Sequence, residues 1–204
     1  DEEAFDVGLP CGGKVYIFVD MLDPDVLGGI TDAVKAESPV ALAMPISGSR
    51  IGDEALFTPE SSEDAEGSAE VKSLLSRGEN SIVPTSDGEL FVSTFAPRPR
   101  MYVFGAIDFA SAVAQTGKFL GYHVTVCDAR AKFVTPERFP EVDELVVEWP
   151  DEFLSKAHID ERTAICVLTH DDKFDVPILK VAVESNAGYI GAMGSRRTTE
   201  KRTA

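Results

Sequence analysis

A glycine-flanked cysteine is the first group in the chain whose chemistry stands out. Residues 8–13 read GLPCGG. The flanking glycines Gly12 and Gly13 let a ligand approach the backbone and leave the Cys11 thiol accessible. Once deprotonated, a thiol can attack a substrate, carry sulfur or bind a soft metal. The alternative is a tight turn around a small buried cysteine, because no histidine partner is apparent for Cys11.

A second candidate group follows an apolar run over residues 163–169, which predicts a strand. His170, Asp171 and Asp172 come directly after it. A histidine at a strand end can titrate near neutral pH or donate a hydrogen bond to a ligand. The two aspartates lack a clear metal-ligand spacing. The alternative is that an aspartate caps the next helix while His170 lies in a solvated loop.

The third candidate group is the stretch Gly194, Ser195, Arg196 and Arg197, between a predicted strand and a predicted helix. A glycine turn, a hydroxyl group, two guanidinium groups and a helix N-terminus together suit an oxyanion or a phosphate. The alternative is that the two arginines pair with surface carboxylates. Because ligands of open α/β sheets bind beyond the strand ends, the location favours a binding function.

A predicted strand–helix–strand unit gives these groups a frame. An apolar strand over residues 101–104 ends at Gly105, and a fully apolar or β-branched strand over residues 124–127 ends at Asp128. This is the outline of a dinucleotide-binding βαβ unit, in which an acidic residue after the second strand binds the ribose. The helix between the strands is predicted to bury one apolar face. That face contains Phe109, Val113, Phe119 and Leu120, with small residues at Ala110, Ala112 and Ala114.

The glycine fingerprint of this unit is incomplete. Gly105 keeps the first position and Ala110 is a tolerable third residue, but the second glycine is replaced by Ile107. The second glycine normally lets the pyrophosphate approach the backbone, so the branched Ile107 side chain is predicted to stand in its place. Asp108 adds a negative charge that competes with a phosphate at the helix N-terminus. The sequence therefore predicts a Rossmann-like fold in which NAD binding is weakened or lost.

The alternation of strands and helices continues to the end of the chain and predicts a doubly wound parallel sheet. We predict three segments: a small mixed α+β N-terminal domain over residues 1–96, a stiff PRPR linker over 97–100 and the Rossmann-like domain over 101–204. The first domain is predicted to contain strands over residues 15–19, 40–46, 55–58 and 89–95 and helices over 24–36 and 71–76. The last domain ends in an incomplete helix, which predicts truncation at the C-terminus.

Composition excludes several classes of function. The 204 residues include 35 acidic and 19 basic ones, a net charge of −16. A nucleic-acid-binding protein needs a basic surface, and an anionic membrane would repel this charge. There is neither a run long enough to span a membrane nor a visible signal peptide. The spacing of Cys11, Cys127 and Cys166 predicts reduced cytoplasmic thiols, the last two packed inside strands.

Taken together, these motifs resemble the XdhC/CoxI family, accessory proteins of molybdenum hydroxylases such as xanthine dehydrogenase and carbon monoxide dehydrogenase. The resemblance covers nearly the whole chain and depends most on the combination of THD with YIGAMGSRR. The other matching segments are GLPCGG, VFGAIDFASAVA, VTVCDAR and the triplet Arg138-Phe139-Pro140. Many relatives have a glycine and a histidine where this chain has Ile107 and Asp108.

The resemblance implies a function. Such proteins bind the molybdenum cofactor (molybdopterin or its cytosine dinucleotide form), protect it during sulfuration and deliver it to the apo-enzyme. The implied partners are the molybdenum hydroxylase apo-enzyme, a cysteine desulfurase and a second copy of the chain. The resemblance implies an accessory protein without turnover of its own. Cys11 would lie near the cofactor, the loop with Gly194, Arg196 and Arg197 would hold phosphates, and His170 would line the same crevice.

Two other functions remain open from the sequence. One is an NAD-dependent oxidoreductase, in which Asp128 binds the ribose hydroxyls and Ile107 is the discriminating residue. The other is an interaction module that docks on a molybdenum enzyme. The accessory function requires Cys11 and Arg196 to face one shared cleft.

Overall fold

The structure, a computed structural model, describes residues 17–195. The chain divides into two compact units, Asp1–Phe95 and Ala96–Ala204. The elements of the N-terminal unit in chain order are α1 Pro24–Lys35, β1 Val40–Pro45, β2 Ala55–Phe57, α2 Ser68–Arg77, β3 Ser81–Thr85 and β4 Gly88–Phe95. Its strands form a four-stranded antiparallel sheet in the order β2-β1-β4-β3.

Helix α1 begins where the sequence predicts a cap. The Asp23 side chain accepts a hydrogen bond of 2.8 Å from the backbone N–H of Asp25, and Pro24 occupies the first helical position. The first backbone N–H groups of a helix have no partner within the helix. Asp23 provides an acceptor for one of them, and Pro24 has no N–H to satisfy. The predicted strand over residues 15–19 is not found in its described part, because residues 17–19 form no strand and are exposed.

The hydrophobic cluster covered by α2 lies on one face of the N-terminal sheet. Helix α2 packs there through three apolar side chains at positions i, i+3 and i+4, namely Val71, Leu74 and Leu75. Alternate residues of the strands point to this face, as the two-residue period of a strand requires. They are Ala41, Ala43, Val83 and Val92.

The C-terminal unit is built around a five-stranded sheet. Its elements in chain order are β5 Arg100–Phe104, α3 Asp108–Phe119, β6 His123–Cys127, a 3-10 turn Ala131–Phe133, β7 Glu144–Val146, α4 Pro150–Leu154, β8 Ala164–Val167, α5 Asp172–Val183 and β9 Tyr189–Ala192. The strand order is β7-β6-β5-β8-β9, and every pair of neighbours is parallel. Helices lie on both faces of this sheet, which confirms the predicted α/β doubly wound fold.

Helix α3 packs through small residues of the predicted face and not through its largest ones. Its buried residues are small, namely Ala110, Ala114 and Gly117. A Cβ atom at Gly117 would lie 2.6 Å from Met101 Sδ, so the helix backbone approaches the sheet too closely for larger side chains. Of the four larger apolar residues predicted on this face, Val113 packs against the core cluster, whereas the other three are exposed. Phe109 is 62% exposed, Phe119 89% and Leu120 60%.

On the other face of the sheet, α4 and α5 pack larger side chains. Leu154, Ile178 and Ala182 contact Phe104 and Ile165 in a cluster that is almost fully buried. Both faces of the central strands are therefore covered, which accounts for their near-continuous apolar sequence. No helix within residues 17–195 has the length and apolarity that crossing a membrane requires.

Candidate functional site

The carboxyl ends of the parallel strands form the candidate site. Because β5, β6, β8 and β9 run in the same direction, the residues that follow them meet at one edge of the sheet. The chain adds β6 and β7 on one side of β5 and then β8 and β9 on its other side, so the strand order switches between β5 and β8. Ligands of open α/β sheets bind at such a switch point. The structure thus brings five of the predicted site residues to this edge: Gly105, Asp128, His170, Gly194 and Ser195.

Gly105 lies at this switch point, and close packing requires a glycine there. Its φ of +95° is in the left-handed region, which disfavours any residue with a Cβ atom. A Cβ atom there would lie 2.7 Å from Thr169 Cγ2 and 2.9 Å from the Thr169 backbone nitrogen. The turn after β5 and the end of β8 therefore touch directly, and this contact explains the glycine without a ligand.

Asp128 is buried, and its carboxylate accepts hydrogen bonds from neighbouring residues of the chain. Its side chain is 2% exposed. One oxygen, Oδ1, accepts hydrogen bonds of 2.9 Å from the backbone N–H and from Nε of Arg130. The other, Oδ2, accepts bonds of 2.8 Å from the Arg130 guanidinium and 2.9 Å from the backbone N–H of Ala106.

These four bonds change what Asp128 can do. Burial by itself raises the pKa of the Asp128 carboxyl, but the hydrogen bonds from Arg130 and Ala106 outweigh it and hold the pKa below its usual range. The carboxylate is thus ionised and its lone pairs are occupied. A ribose diol would have to displace Arg130 or Ala106 to bind there. Sequence reasoning missed this closure, although Arg130 two residues after Asp128 was the available signal.

Ile107 and Asp108 complete the turn into α3. Ile107 has extended backbone, with φ −90° and ψ 179°, and its half-buried side chain packs against the core cluster of the α3 face. Asp108 is exposed, and its Oδ1 lies 3.3 Å from the Arg138 guanidinium. The negative charge at this helix N-terminus thus has a cation beside it.

A basic cluster around Phe133 lies beside this turn. Three cations approach its ring: Arg130 at 4.5 Å, Lys132 at 4.7 Å and Arg138 at 5.4 Å from the ring centre. We call these four residues the Phe133 cluster. Arg130 and Arg138 also pair with Asp128 and Asp108, whereas Lys132 has no ion pair within residues 17–195. Arg130 and Arg138 lie in segments that resemble the family, but the sequence predicted a binding role for none of the four residues, since their spacing forms no recognisable motif.

The end of β8 agrees with the capping interpretation for Asp171. Its side chain accepts a hydrogen bond from the backbone N–H of Lys173 and caps α5. His170 is exposed at the edge. The hydroxyl of Thr169 donates to the fully buried carboxylate of Asp175, which ties the strand end to the first turn of α5.

The remaining predicted site residues fall at the limits of the described chain. Gly194 and Ser195 are exposed after β9, whose end is held by a 2.8 Å hydrogen bond from the Met193 N–H to the Val167 carbonyl. Cys11, Gly12, Gly13, Arg196 and Arg197 lie outside residues 17–195, and so does the predicted shared cleft. Within that range, no group of three or more histidine, cysteine or carboxylate side chains is arranged to hold a metal ion.

The two described cysteines pack in strands, as predicted. Cys127 is buried, and burial raises the pKa of its thiol to about 12, with nearby carboxylates adding to the effect. Cys166 is half-buried, and burial also raises its pKa. Because thiolates are the reactive form, neither cysteine is suited to nucleophilic chemistry at neutral pH.

The fold and the site define a Rossmann-type domain in which the carboxylate at the usual ribose position, Asp128, is hydrogen-bonded within the chain. Residues 101–204 match the family model described as the XdhC Rossmann domain. The chain belongs to the XdhC family.

Two curated relatives show the extent of the similarity. A Bacillus subtilis (strain 168) protein, described as a probable xanthine dehydrogenase subunit, is 30% identical over 112 residues, 55% of this chain and 34% of that protein. An uncharacterized protein YqeB from Escherichia coli (strain K12) is 28% identical over 112 residues, 54% of this chain and 20% of that protein. The chain thus spans about a third or less of these curated relatives.

A solved structure extends the comparison to most of the chain. The crystal structure of a xanthine dehydrogenase (BH1974) from Bacillus halodurans superposes with a TM-score of 0.62 at 21% identity. The match covers 88% of this chain and 56% of that one. At this identity the likeness concerns the fold.

Proposed function

We propose that the chain is a maturation factor for a molybdenum hydroxylase. It binds the molybdenum cofactor, as molybdopterin or its cytosine dinucleotide form, protects it during sulfuration and delivers it to the apo-enzyme. Its place of action is the cytoplasm, and its partners are the apo-enzyme, a cysteine desulfurase and a second copy of itself. Membership of the XdhC family and the name of the Bacillus subtilis relative support this role.

The observation that carries the proposal is the chemistry of the strand-end edge. A molybdopterin presents a planar heterocycle and a phosphate. The Phe133 cluster offers an aromatic ring, and its exposed Lys132 makes no ion pair within residues 17–195. Gly194 and Ser195 add backbone and hydroxyl groups at the same edge. These groups fit a phosphate and a flat ring, whereas the closed Asp128 does not fit a ribose.

Retention of the cofactor tests the proposal. The protein is purified anaerobically after incubation with a source of molybdenum cofactor, then oxidised, and the fluorescence of the released pterin is measured. We expect the wild type to retain pterin and the Cys11→Ala variant to retain about tenfold less, since a ligand or hydrogen bond to sulfur is lost. Cys166→Ala, which removes a half-buried strand thiol, is the control and should match the wild type.

Equal retention by Cys11→Ala and the wild type would reduce Cys11 to a turn residue. A wild type that retains no pterin would contradict cofactor binding itself. In that case pull-down of a molybdenum hydroxylase by the cofactor-free protein distinguishes the remaining function, an interaction module.

A second prediction separates this proposal from an NAD-dependent oxidoreductase. We expect neither NAD nor NADP to bind with submicromolar affinity in calorimetry. The Ile107→Gly variant should not gain affinity, because restoring the fingerprint glycine leaves Asp128 bonded to Arg130 and Ala106. Ala106→Gly, which changes the same turn without restoring that glycine, is the matched control. An Ile107→Gly variant that binds NAD at least about tenfold more tightly would show that the isoleucine alone blocks the site.

A further inference from the structure

Helix α3 of the C-terminal unit exposes apolar side chains along its whole length. Phe109 lies in its first turn, Phe119 is its last residue and Leu120 follows directly. All three side chains are more than half exposed. Ala112 and Thr116 lie between them and are exposed as well. We call these five residues the α3 stripe.

The stripe forms one face of the helix. Counted from Phe109, its members occupy positions i, i+3, i+7, i+10 and i+11, the spacing of a single helical face. The buried residues Ala110, Ala114 and Gly117 lie on the side that faces the sheet. A surface helix normally presents polar side chains to water, so a continuous exposed apolar face marks a contact with another molecule.

The polar groups in and beside the stripe are already paired within the C-terminal unit. The Thr116 hydroxyl donates a 2.9 Å hydrogen bond to the carbonyl of the residue four positions earlier. The two charged residues of α3 also have partners: Asp108 pairs with Arg138 at 3.3 Å, and Lys118 pairs with Asp143 at 2.8 Å. The stripe itself therefore contains no charge and needs no polar partner.

The lack of charge favours a second copy of the chain as the occupant. Two copies, each with a net charge of −16, repel each other over most of their surfaces. At the stripe they can approach without burying a carboxylate, and interface cores are depleted in charged residues because buried charges are costly. A basic partner would instead need acidic side chains on this face.

The order of side chains makes the stripe self-complementary. From Phe109 through Ala112 and Thr116 to Phe119 the side chains are large, small, small and large. We consider two copies of α3 side by side and antiparallel, with a two-fold axis at the level of Ala114. Phe109 of one copy is then opposite Phe119 of the other, and Ala112 is opposite Thr116. The small central residues let the helices approach, and the aromatic rings pack at both ends.

The exposed area is large enough for such a contact. The three large side chains of the stripe expose about 400 Å² in each copy, from their exposed fractions and full side-chain areas of about 200 Å². A standard interface buries about 800 Å² in each partner, of which somewhat more than half is apolar. The stripe can therefore supply most of the apolar area of a dimer interface.

We propose that the α3 stripe is a homodimer interface, in which α3 packs antiparallel against α3 of a second copy across a two-fold axis. The inference rests on the proposed function only for the second copy named there, and it assigns that copy a surface. An interface that uses the same surface in both copies closes on itself, so the assembly stops at two chains.

Sedimentation velocity of the full chain over a range of concentrations tests the interface. We expect the wild type to show an equilibrium between monomer and dimer. Phe119→Asp places two carboxylates in the apolar contact and should weaken dimerisation at least about hundredfold. Val183→Asp is the matched control and should dimerise like the wild type, because Val183 is likewise an exposed apolar residue at the end of a helix, α5. Thermal unfolding curves check the fold of each variant.

Disulfide formation tests the antiparallel arrangement. Phe109→Cys and Phe119→Cys are made separately in the Cys11→Ala background, in which the other thiols, Cys127 and Cys166, are packed in strands. A disulfide needs Cα atoms within about 7 Å, whereas positions 109 and 119 are about 15 Å apart along the helix. After oxidation by air with a copper–phenanthroline catalyst, we expect at least about tenfold more cross-linked dimer in the mixture than in either variant alone.

Three results would overturn the proposal: a wild type that stays monomeric, a dimer that Phe119→Asp weakens no more than Val183→Asp does, or cross-linking of each single variant with itself. A monomer that Phe119→Asp destabilises would assign the stripe to a contact within the chain. Loss of molybdenum hydroxylase capture by Phe119→Asp, with an unchanged oligomeric state, would assign it to the apo-enzyme. None of these measurements involves the cofactor, so pterin retention tests the maturation function separately.

Discussion

Replacing Gly105 by alanine is expected to destabilise the C-terminal unit by about 2–5 kcal/mol. The left-handed backbone costs a residue with a Cβ atom about 1–2 kcal/mol, and an overpacked contact adds about 1–3 kcal/mol. Here the added methyl group would meet Thr169 at 2.7 Å, and its nearest backbone neighbour, the Thr169 nitrogen, cannot move without shifting the end of β8.

Gly121→Ala separates the two causes. Gly121 also has a positive φ, +85°, but a Cβ atom there would have no neighbour within 4 Å. It should therefore lose only the backbone term, about 1–2 kcal/mol. Urea unfolding followed by tryptophan fluorescence measures both, since Trp149, the single tryptophan, lies in the C-terminal unit against Phe174. Equal losses in the two variants would show that the contact with Thr169 contributes nothing.

The second large effect is expected at Arg130. Arg130→Gln leaves the Asp128 carboxylate 2% exposed with only backbone N–H donors. Breaking a buried ion pair costs about 3–5 kcal/mol; because the Arg130 side chain is 41% exposed, solvent screens part of this, and we expect about 2–3 kcal/mol. Lys156→Gln, which breaks a more exposed pair with Glu148, should cost under about 1 kcal/mol.

The pH dependence of this loss has a defined sign. The pKa of Asp128 is lowered in the folded protein, so its ion pair stabilises the fold above the ordinary aspartate pKa of about 4. That contribution disappears as the pH falls through the folded pKa. The difference in unfolding free energy between wild type and Arg130→Gln should therefore be full at pH 7 and shrink below about pH 4. A difference that stays constant down to pH 3 would contradict a charge-dependent role.

Helix α3 shows which features of the βαβ unit the sequence pattern predicts and which it does not. The order strand, glycine turn, helix, strand and aspartate was enough to predict the βαβ unit, because each signal is local. Ala110 and Ala114 of the predicted face are buried, but three of its four larger apolar residues were wrongly predicted to face the sheet. Periodicity weights large apolar residues such as Phe109 and Phe119, yet the sheet lies so close that only Ala110, Ala114 and Gly117 fit beneath the helix.

At the candidate site, the sequence likewise predicts where residues lie but not which hydrogen bonds they make. The strand-end positions of Gly105, Asp128 and His170 follow from the sequence, because parallel strands end at one edge. The engagement of Asp128 does not follow from it, since an aspartate after a second strand is equally compatible with a bound ribose. Only the folded chain shows Arg130 turned back on that carboxylate and Ala106 donating to it.

The sequence by itself determined the class of fold, the βαβ unit and the edge where polar groups collect, because propensity, capping and turn chemistry act over a few residues. The tertiary structure decided which of those groups remain open to a ligand. Hydrogen-bond saturation at Asp128 and steric closure at Gly105 both depend on the distance between segments, which no local pattern encodes.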